Sequence, residues 1–283
     1  MDDSKILITG ANGQVGRALS EIYPGAIQTD ASRLDIADNE ALQKFDWGSL
    51  QVIINTASYT NVDGAETPEG EAIAWKVNDK AVGYLAEIAN QKEMVLVHIS
   101  TDYVFDGKKE VHTEDEPVNP LGVYGHSKAG GDKNAARANK HYIVRSSWVV
   151  GDGKNFARSI LAAAREHDEL KVVADQFGRP TFATELARII DFLLTNQAPY
   201  GTYNGSNSGD IVNWADFARA IIKEAGLNTQ VTDTTAAQYF AGKISSERPV
   251  HSAFDLSKLE SLGYKPRDWR EDLREYVSKE IPG

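Results

Sequence analysis

The chain has 283 residues, 41% of them apolar, no cysteine and a formal net charge of −11. That length and apolar share suffice for a large buried core, while the missing cysteines exclude disulfides, thiolate metal sites and thiol nucleophiles. The acidic balance opposes nonspecific binding to nucleic acid or anionic membrane, and the absence of any apolar run near ~20 residues or of a basic leader makes a cytoplasmic protein the expectation.

The first predicted element is a short apolar strand, Lys5–Thr9, which ends in glycine and leads into a helical pattern through Val15, Leu19 and Ile22. At the junction, Gly10-Ala11-Asn12-Gly13-Gln14-Val15-Gly16 has glycines at its first, fourth and seventh positions. Such a turn can bend sharply, approach a pyrophosphate without Cβ obstruction and aim the N-terminal amides of a helix at the anion. A second strand at Ala26-Ile27 leads to Asp30, twenty residues beyond Gly10. A carboxylate there can accept hydrogen bonds from an adenosine ribose. Ser32 and Arg33 beside it could instead hold a 2′-phosphate, which leaves NADH and NADPH both open. Asp35-Ile36 suits an adenine amino group and ring, or equally a helix-capping region before Asp38.

Further strands at Val52–Ile54, Val95–Ile99 and Tyr142–Val144 alternate with helical stretches near 38–45, 69–91 and 121–138. A repeated β-then-α order on continuous apolar strands argues for a parallel sheet covered on both faces, a doubly wound α/β architecture. After residue 150 the rhythm changes, with helices expected near 155–167, 182–196, 213–225 and 269–280. The expected division is a dinucleotide-binding domain over 1–150 and a smaller, mainly substrate-binding lobe over 151–283, some of whose segments return to the main sheet. No tether-like linker separates them. The six histidines, at 98, 112, 126, 141, 167 and 251, lack metal-ligand spacing.

Tyr124 and Lys128, four residues apart, share a face if they lie on a helix. A phenol with a reference pKa of about 10 is a poor proton donor and relay near neutrality. A cation at roughly 4 Å and an effective dielectric of about 20 offers about 4 kcal/mol, about three pKa units before the lysine's desolvation is subtracted. That would make the tyrosine useful in acid–base chemistry. On these residues alone, ring packing for Tyr124, a solvated helix lysine and a strand-end hydroxyl for Thr101 remain open.

The glycine turn, the run Asn55–Asp63, Val77-Asn78, the run Ser100–Gly107, and Tyr124 with Lys128 occur in an order that resembles the extended short-chain dehydrogenase/reductases. More narrowly, Gly13–Gly16, Ser100–Gly107, Arg145–Val149, Asn155-Phe156, Asp175–Thr181 and Arg248-Pro249 resemble the dTDP-4-dehydrorhamnose reductase family over nearly the whole chain. The resemblance implies a Rossmann sheet and an oxidoreductase of dTDP-rhamnose and cell-wall polysaccharide biosynthesis. Its reaction would be reduction of the C4 ketone of dTDP-4-dehydro-L-rhamnose to dTDP-L-rhamnose by NADPH or NADH.

Residue roles follow from that resemblance. Tyr124 would donate a proton to the carbonyl oxygen as hydride arrives, Lys128 would support the phenol and bind the nicotinamide ribose, and Thr101 would donate a hydrogen bond to the same oxygen. Cofactor binding is implied for Gly10, Asn12, Gly13, Gln14, Val15, Gly16, Asp30, Asp35, Ile36, Ala57, Ser58, Tyr59, Asn78, Tyr124 and Lys128, with Asn78 also supporting a water-mediated proton relay. Substrate binding is implied for Val62, Thr101, Asp102, Trp148, Asn155, Gln176 and Arg248. Among these, Trp148 would wall the deoxysugar, Gln176 would read a base edge and Arg248 would pair with the diphosphate. Arg179 and Lys154 are further local cations.

Some relatives bridge a dimer with magnesium on a glutamate two residues past the third motif glycine. Here that position is Ala18, and Glu185 alone does not make such a site, so no metal is expected. The expected partners are a nucleotide sugar, with neither nucleic acid nor membrane, in a monomer or weak homodimer. The start hard against the first strand also permits covalent or non-covalent association with a preceding epimerase. Two other readings share the resemblance: a non-catalytic regulatory subunit like that of methionine adenosyltransferase, and a reductase or epimerase of another nucleotide-linked 4-keto sugar.

Overall fold

Ile6, Leu7, Ile8 and Thr9 are all buried, as are the four residues Val52–Asn55, because the sheet they join is covered on both faces. The computed structural model describes residues 2–281. In chain order the first part comprises β1 (Ile6–Thr9), α1 (Gln14–Ile22), β2 (Ile27–Thr29), α2 (Asn39–Lys44), β3 (Val52–Asn55), α3 (Pro68–Ala74), α4 (Ala81–Gln91), β4 (Val95–Thr101), β5 (Val111–His112), α5 (Val123–Ala135) and β6 (His141–Ser146). There follow β7 (Val149–Val150), α6 (Phe156–Glu166), β8 (Glu169–Val173), β9 (Phe177–Gly178), β10 (Thr181–Phe182), α7 (Ala183–Thr195) and β11 (Gly201–Asn204). The chain then continues through β12 (Val212–Asn213), α8 (Trp214–Glu224), β13 (Gln230–Thr234), α9 (Ala236–Tyr239), β14 (Ala253–Phe254), α10 (Ser257–Ser261) and α11 (Trp269–Glu280).

Six strands form one parallel sheet in the order β2-β1-β3-β4-β6-β11. This is the doubly wound α/β sheet expected from the strand and helix rhythm. The chain leaves β1 to one side for β2 and then crosses to β3 on the other, which opens a crevice at the carboxyl ends of β1 and β3. Leu19 of α1 and Leu186, Ile190 and Leu193 of α7 cover one face, and Leu85 and Ile88 of α4 with Ala135 of α5 cover the other. A third core gathers Ile160 and Leu161 of α6, Phe217 of α8 and Trp269 of α11 beside the parallel pair β8–β13.

Two departures from the sequence reading position the site. The sheet's last strand, β11, has only four residues and pairs with β6 far from it in sequence, with Asn204 opposite Arg145. Its strand character comes from that neighbour, not from a local apolar run. The helix expected over 69–91 is continuous but holds a π-helical stretch, Trp75–Lys80, between α3 and α4, a local widening that often marks a functional site. No helix among the described residues is long and apolar enough to cross a membrane.

Candidate active site

At the crevice the sequence's glycine turn meets the loop after β3. Gly10 has φ +68°, and a Cβ on it would lie 2.6 Å from the Ala57 amide nitrogen; one on Gly16 would lie 2.5 Å from the Gly10 carbonyl oxygen. Neither contact can be relieved by a rotamer change, since the opposing atoms are backbone. Gly13 is the N-cap of α1 and no side chain caps that helix, which leaves its amides facing a groove of about 990 Å³. Asn12, Gln14, Val15, Asp30, Asp35, Ile36, Ala57, Ser58 and Tyr59 line the same groove with Gly10 and Gly13. Its dimensions, backbone amides and acidic far end fit a dinucleotide.

Asp30 accepts hydrogen bonds from the Ser32 amide at 2.9 Å and hydroxyl at 2.6 Å, as well as from Asn12. Those bonds hold its carboxyl below the usual range. The Arg33 guanidinium donates to the Gln28 carbonyl at 2.8 Å, and Arg33 does not line the groove.

At the groove's inner end β4 and α5 bring Thr101, Tyr124 and Lys128 together. The Thr101 hydroxyl donates to Asp102 Oδ1 at 3.0 Å and accepts from the Tyr103 amide at 3.2 Å. The Tyr124 ring meets Tyr103 edge-on, 5.4 Å between centroids. Burial raises the Tyr124 phenol above its ordinary pKa and the Asp102 charge adds to the rise, while hydrogen bonding with Thr101 and Ser58 acts the other way. This corrects the expectation that Lys128 would make the phenol acidic. Lys128 Nζ donates to the Ile99 carbonyl at 2.6 Å, and a buried phenolate beside a carboxyl is the costlier form. The phenol stays protonated at neutral pH, the form a proton donor needs.

Lys128 is pushed down to about 8 by burial, which Asp132 partly offsets. Its ammonium is therefore the main form below that pH and is lost above it. Where the reaction uses that charge, kcat/KM falls about tenfold per pH unit beyond the lysine's pKa. In Lys128→Arg, whose guanidinium keeps its charge, the alkaline fall disappears from the pH–rate profile. An unchanged alkaline limb in K128R assigns it to another group. Asp102 is pushed up to about 6 by burial, and its Oδ2 has no hydrogen-bond partner.

Asn78 sits in the π stretch but does not face the groove. Its side-chain oxygen accepts from the Ser58 hydroxyl and the Tyr59 amide at 2.9 and 2.8 Å, and its nitrogen donates to the Tyr59 carbonyl and the Ser127 hydroxyl at 3.0 and 3.1 Å. All four bonds are to protein, so the Asn78 side chain braces the Ser58 loop against the helix that carries Tyr124, with its hydrogen-bonding capacity used inside the fold.

A second cleft of about 590 Å³ opens beside the first, and the two share Tyr103, Trp148, Val149, Phe156 and Trp214. Gln176 and Arg248 line the second cleft, whereas Val62, Asp102 and Asn155 lie along the groove. Asn155 caps α6 with its oxygen and donates to the Gly151 carbonyl at 2.6 Å and the Tyr276 hydroxyl at 3.1 Å. Its polar atoms are engaged within the protein. Arg248 donates to both oxygens of Asp63, at 2.8 and 2.9 Å, and stacks over Phe240 at 4.2 Å. A diphosphate would share this guanidinium with Asp63. Lys154 lines the groove, but Arg179 points away and donates to the Gly209 and Phe254 carbonyls.

The sequence reading named Trp148 as a wall but missed the aromatics that join it, Trp214, Tyr239 and Phe240. Trp148, at φ +48°, stacks on Trp214 with 3.5 Å between ring centroids and 12° between planes. That left-handed backbone costs a non-glycine residue about 1–3 kcal/mol and turns the indole towards the cleft. Tyr239 and Phe240 face it; their only trace in the sequence is an aromatic pair within a polar connection. Trp214→Ala removes the backing of Trp148, worth about 1 kcal/mol in stacking, and is expected to raise KM for the cleft's ligand about fivefold in steady-state assays. An unchanged KM would remove Trp214 from the binding wall.

The RmlD substrate binding domain family model matches residues 4–281. A spore coat polysaccharide biosynthesis protein, SpsK, of Bacillus subtilis is 36% identical, covering 98% of each chain. Among solved structures, a dTDP-4-dehydrorhamnose reductase from Clostridium acetobutylicum superposes with TM-score 0.91 at 39% identity, covering 96% of this chain and 98% of that one. The Bacillus anthracis dTDP-4-dehydrorhamnose reductase in complex with NADP gives TM-score 0.90 at 33% identity, covering 98% and 99%.

Proposed function

The chain belongs to the RmlD substrate binding domain family, and from that premise we propose that it reduces the C4 ketone of dTDP-4-dehydro-L-rhamnose to dTDP-L-rhamnose with NADPH or NADH, Tyr124 supplying the proton. The single observation that carries the roles is the meeting of Thr101, Tyr124 and Lys128 in the dinucleotide groove, with Tyr124 edge-on to Tyr103, a residue that the groove shares with the aromatic cleft. When bound, the nicotinamide supplies the hydride.

The chain's own residues do the rest. Gly10, Gly13 and the first amides of α1 hold the pyrophosphate, and Asp30 with Asp35 and Ile36 receives the adenosine end. With its hydroxyl proton turned from Asp102 to the ketone oxygen, Thr101 donates a hydrogen bond there as negative charge develops, and Tyr124 transfers its proton to the same atom. Lys128, held by the Ile99 carbonyl, contributes its positive charge to the same end of the groove. Trp148 supplies an apolar face for the deoxysugar, Gln176 a polar contact to the base, and Arg248 a cation for the diphosphate. We read the protein as a cytoplasmic monomer or weak homodimer with a two-lobed division of labour, 1–150 for the cofactor and 151–283 mainly for the sugar nucleotide. Glu185 is fully buried and accepts from Arg188, Tyr264 and the Arg267 amide at 2.9, 3.0 and 3.1 Å, so its carboxylate is engaged within the fold.

The test is oxidation of NADH and NADPH, assayed in parallel, on enzymatically generated dTDP-4-dehydrorhamnose. Ketone-dependent oxidation is the expected result. No oxidation, with intact cofactor binding, would overturn the assignment.

A further inference from the structure

The helix that carries Tyr124 has no capping side chain of its own. Its N-cap is Gly122, and the bond a cap would make comes from a distant turn: the Val123 amide donates to Glu66 Oε1 at 3.0 Å. A carboxylate suits that position, since helix amides and dipole both favour negative charge there. The same Oε1 accepts from the buried Ser246 hydroxyl at 2.7 Å. The Ser246 amide in turn donates to Asp63 Oδ1 at 3.0 Å, beside the two hydrogen bonds that Arg248 donates to Asp63. One turn, Asp63–Glu66, thus holds the start of the catalytic helix and the strap that brings Arg248 to the cleft. Ala65 within it joins Ala74 and Tyr124 in one small apolar cluster.

Gly122 shows that the junction is built for this contact. Its φ of −119° and ψ of 173° are ordinary extended backbone, so conformation does not call for glycine. Space does: a Cβ there would lie 2.1 Å from Ser246 Oγ and 2.7 Å from Glu66 Oε1.

We propose that Glu66 is a positioning residue that couples docking of the Ser246–Arg248 strap to the seating of Tyr124, with one carboxylate oxygen as the shared acceptor. The proposal rests on the reading of Tyr124 as the proton donor. A sugar nucleotide that draws Arg248 and Phe240 into the cleft presses Ser246 onto Glu66, and so holds the first turn of the catalytic helix while the proton moves.

The experiment compares Glu66→Ala, Glu66→Gln, Ser246→Ala and Gly122→Ala by steady-state kinetics and by hydrogen exchange of peptides spanning 121–127 and 240–250. Glu66→Ala is expected to raise KM for the nucleotide sugar, lower kcat and speed exchange in both peptides together, each by about fivefold or more. Gly122→Ala should do the same without touching the carboxylate. Glu66→Gln, whose amide oxygen can accept both bonds, should stay within about twofold of the parent. Ser246→Ala, which breaks the strap's bond to Glu66 but keeps the Glu66–Val123 bond, should raise KM and loosen 240–250 more than 121–127, with a smaller fall in kcat than in Glu66→Ala. Glu66→Ala with exchange unchanged in either peptide, or Glu66→Gln as impaired as Glu66→Ala, would overturn the proposal. The exchange readout needs no turnover, so failure of the parent protein to reduce the ketone would count against the assigned reaction and leave the coupling to be judged by exchange.

Discussion

Tyr124→Phe is expected to lower kcat by about a thousandfold, within the span of general acid catalysis, while the dissociation constant for NADPH changes less than threefold. The substitution removes one oxygen and keeps the ring that meets Tyr103 edge-on, so the fold and the groove should persist. The site leaves no easy substitute for the lost proton: Tyr124 is 8% exposed, and Thr101, the neighbouring hydroxyl, is tied to Asp102. Because burial keeps the phenol protonated, the wild-type group is loaded for donation across neutral pH. Stopped-flow cofactor oxidation with a parallel fluorescence titration of NADPH checks both halves. Turnover within tenfold of wild type would show that the proton comes from elsewhere.

The second large effect is at the switch point. Gly10→Val should weaken NADPH binding by about a hundredfold or more, equivalent to about 3 kcal/mol or more, and lower the melting temperature. Two costs combine: a branched side chain at φ +68°, and a Cβ 2.6 Å from the Ala57 backbone. Relief requires the loops after β1 and β3 to separate, which moves Ser58 from Tyr124 and disturbs the amides of α1. Calorimetric titration with NADPH beside a thermal melt measures the two consequences. Affinity within threefold of wild type would mean that the turn does not hold the pyrophosphate.

Strands β1, β3, β4 and β6 were legible because a sheet buried on both faces demands continuous apolar runs. Strand β11 was not, since Gly-Thr-Tyr-Asn carries no such run and becomes a strand only beside β6. In the site, the glycine turn and the Tyr124–Lys128 spacing are local and could be read directly. What an amide or guanidinium does is not local. Asn78 and Asn155 look like ligands in the sequence, yet their hydrogen-bonding atoms are occupied by partners as distant as Ser127 and Tyr276. Lys128 shows the same limit for charge, because sequence spacing places it near Tyr124 but burial moves both groups, the phenol up and the ammonium down.

The place of β11 governs the order in which this protein can assemble during synthesis. The fifth strand of the sheet ends at Ser146, but the edge beside it stays unpaired until residues 201–204 have been made. The face over β1 and β3 likewise waits for α7, whose Leu186 and Ile190 lie in that core. A nascent chain halted near residue 150 presents an open strand edge and a bare apolar face, features that invite aggregation. Residues through 204 must therefore emerge before the parallel sheet can close, so a long stretch of chain beyond its fifth strand is threaded into the folding of the sheet.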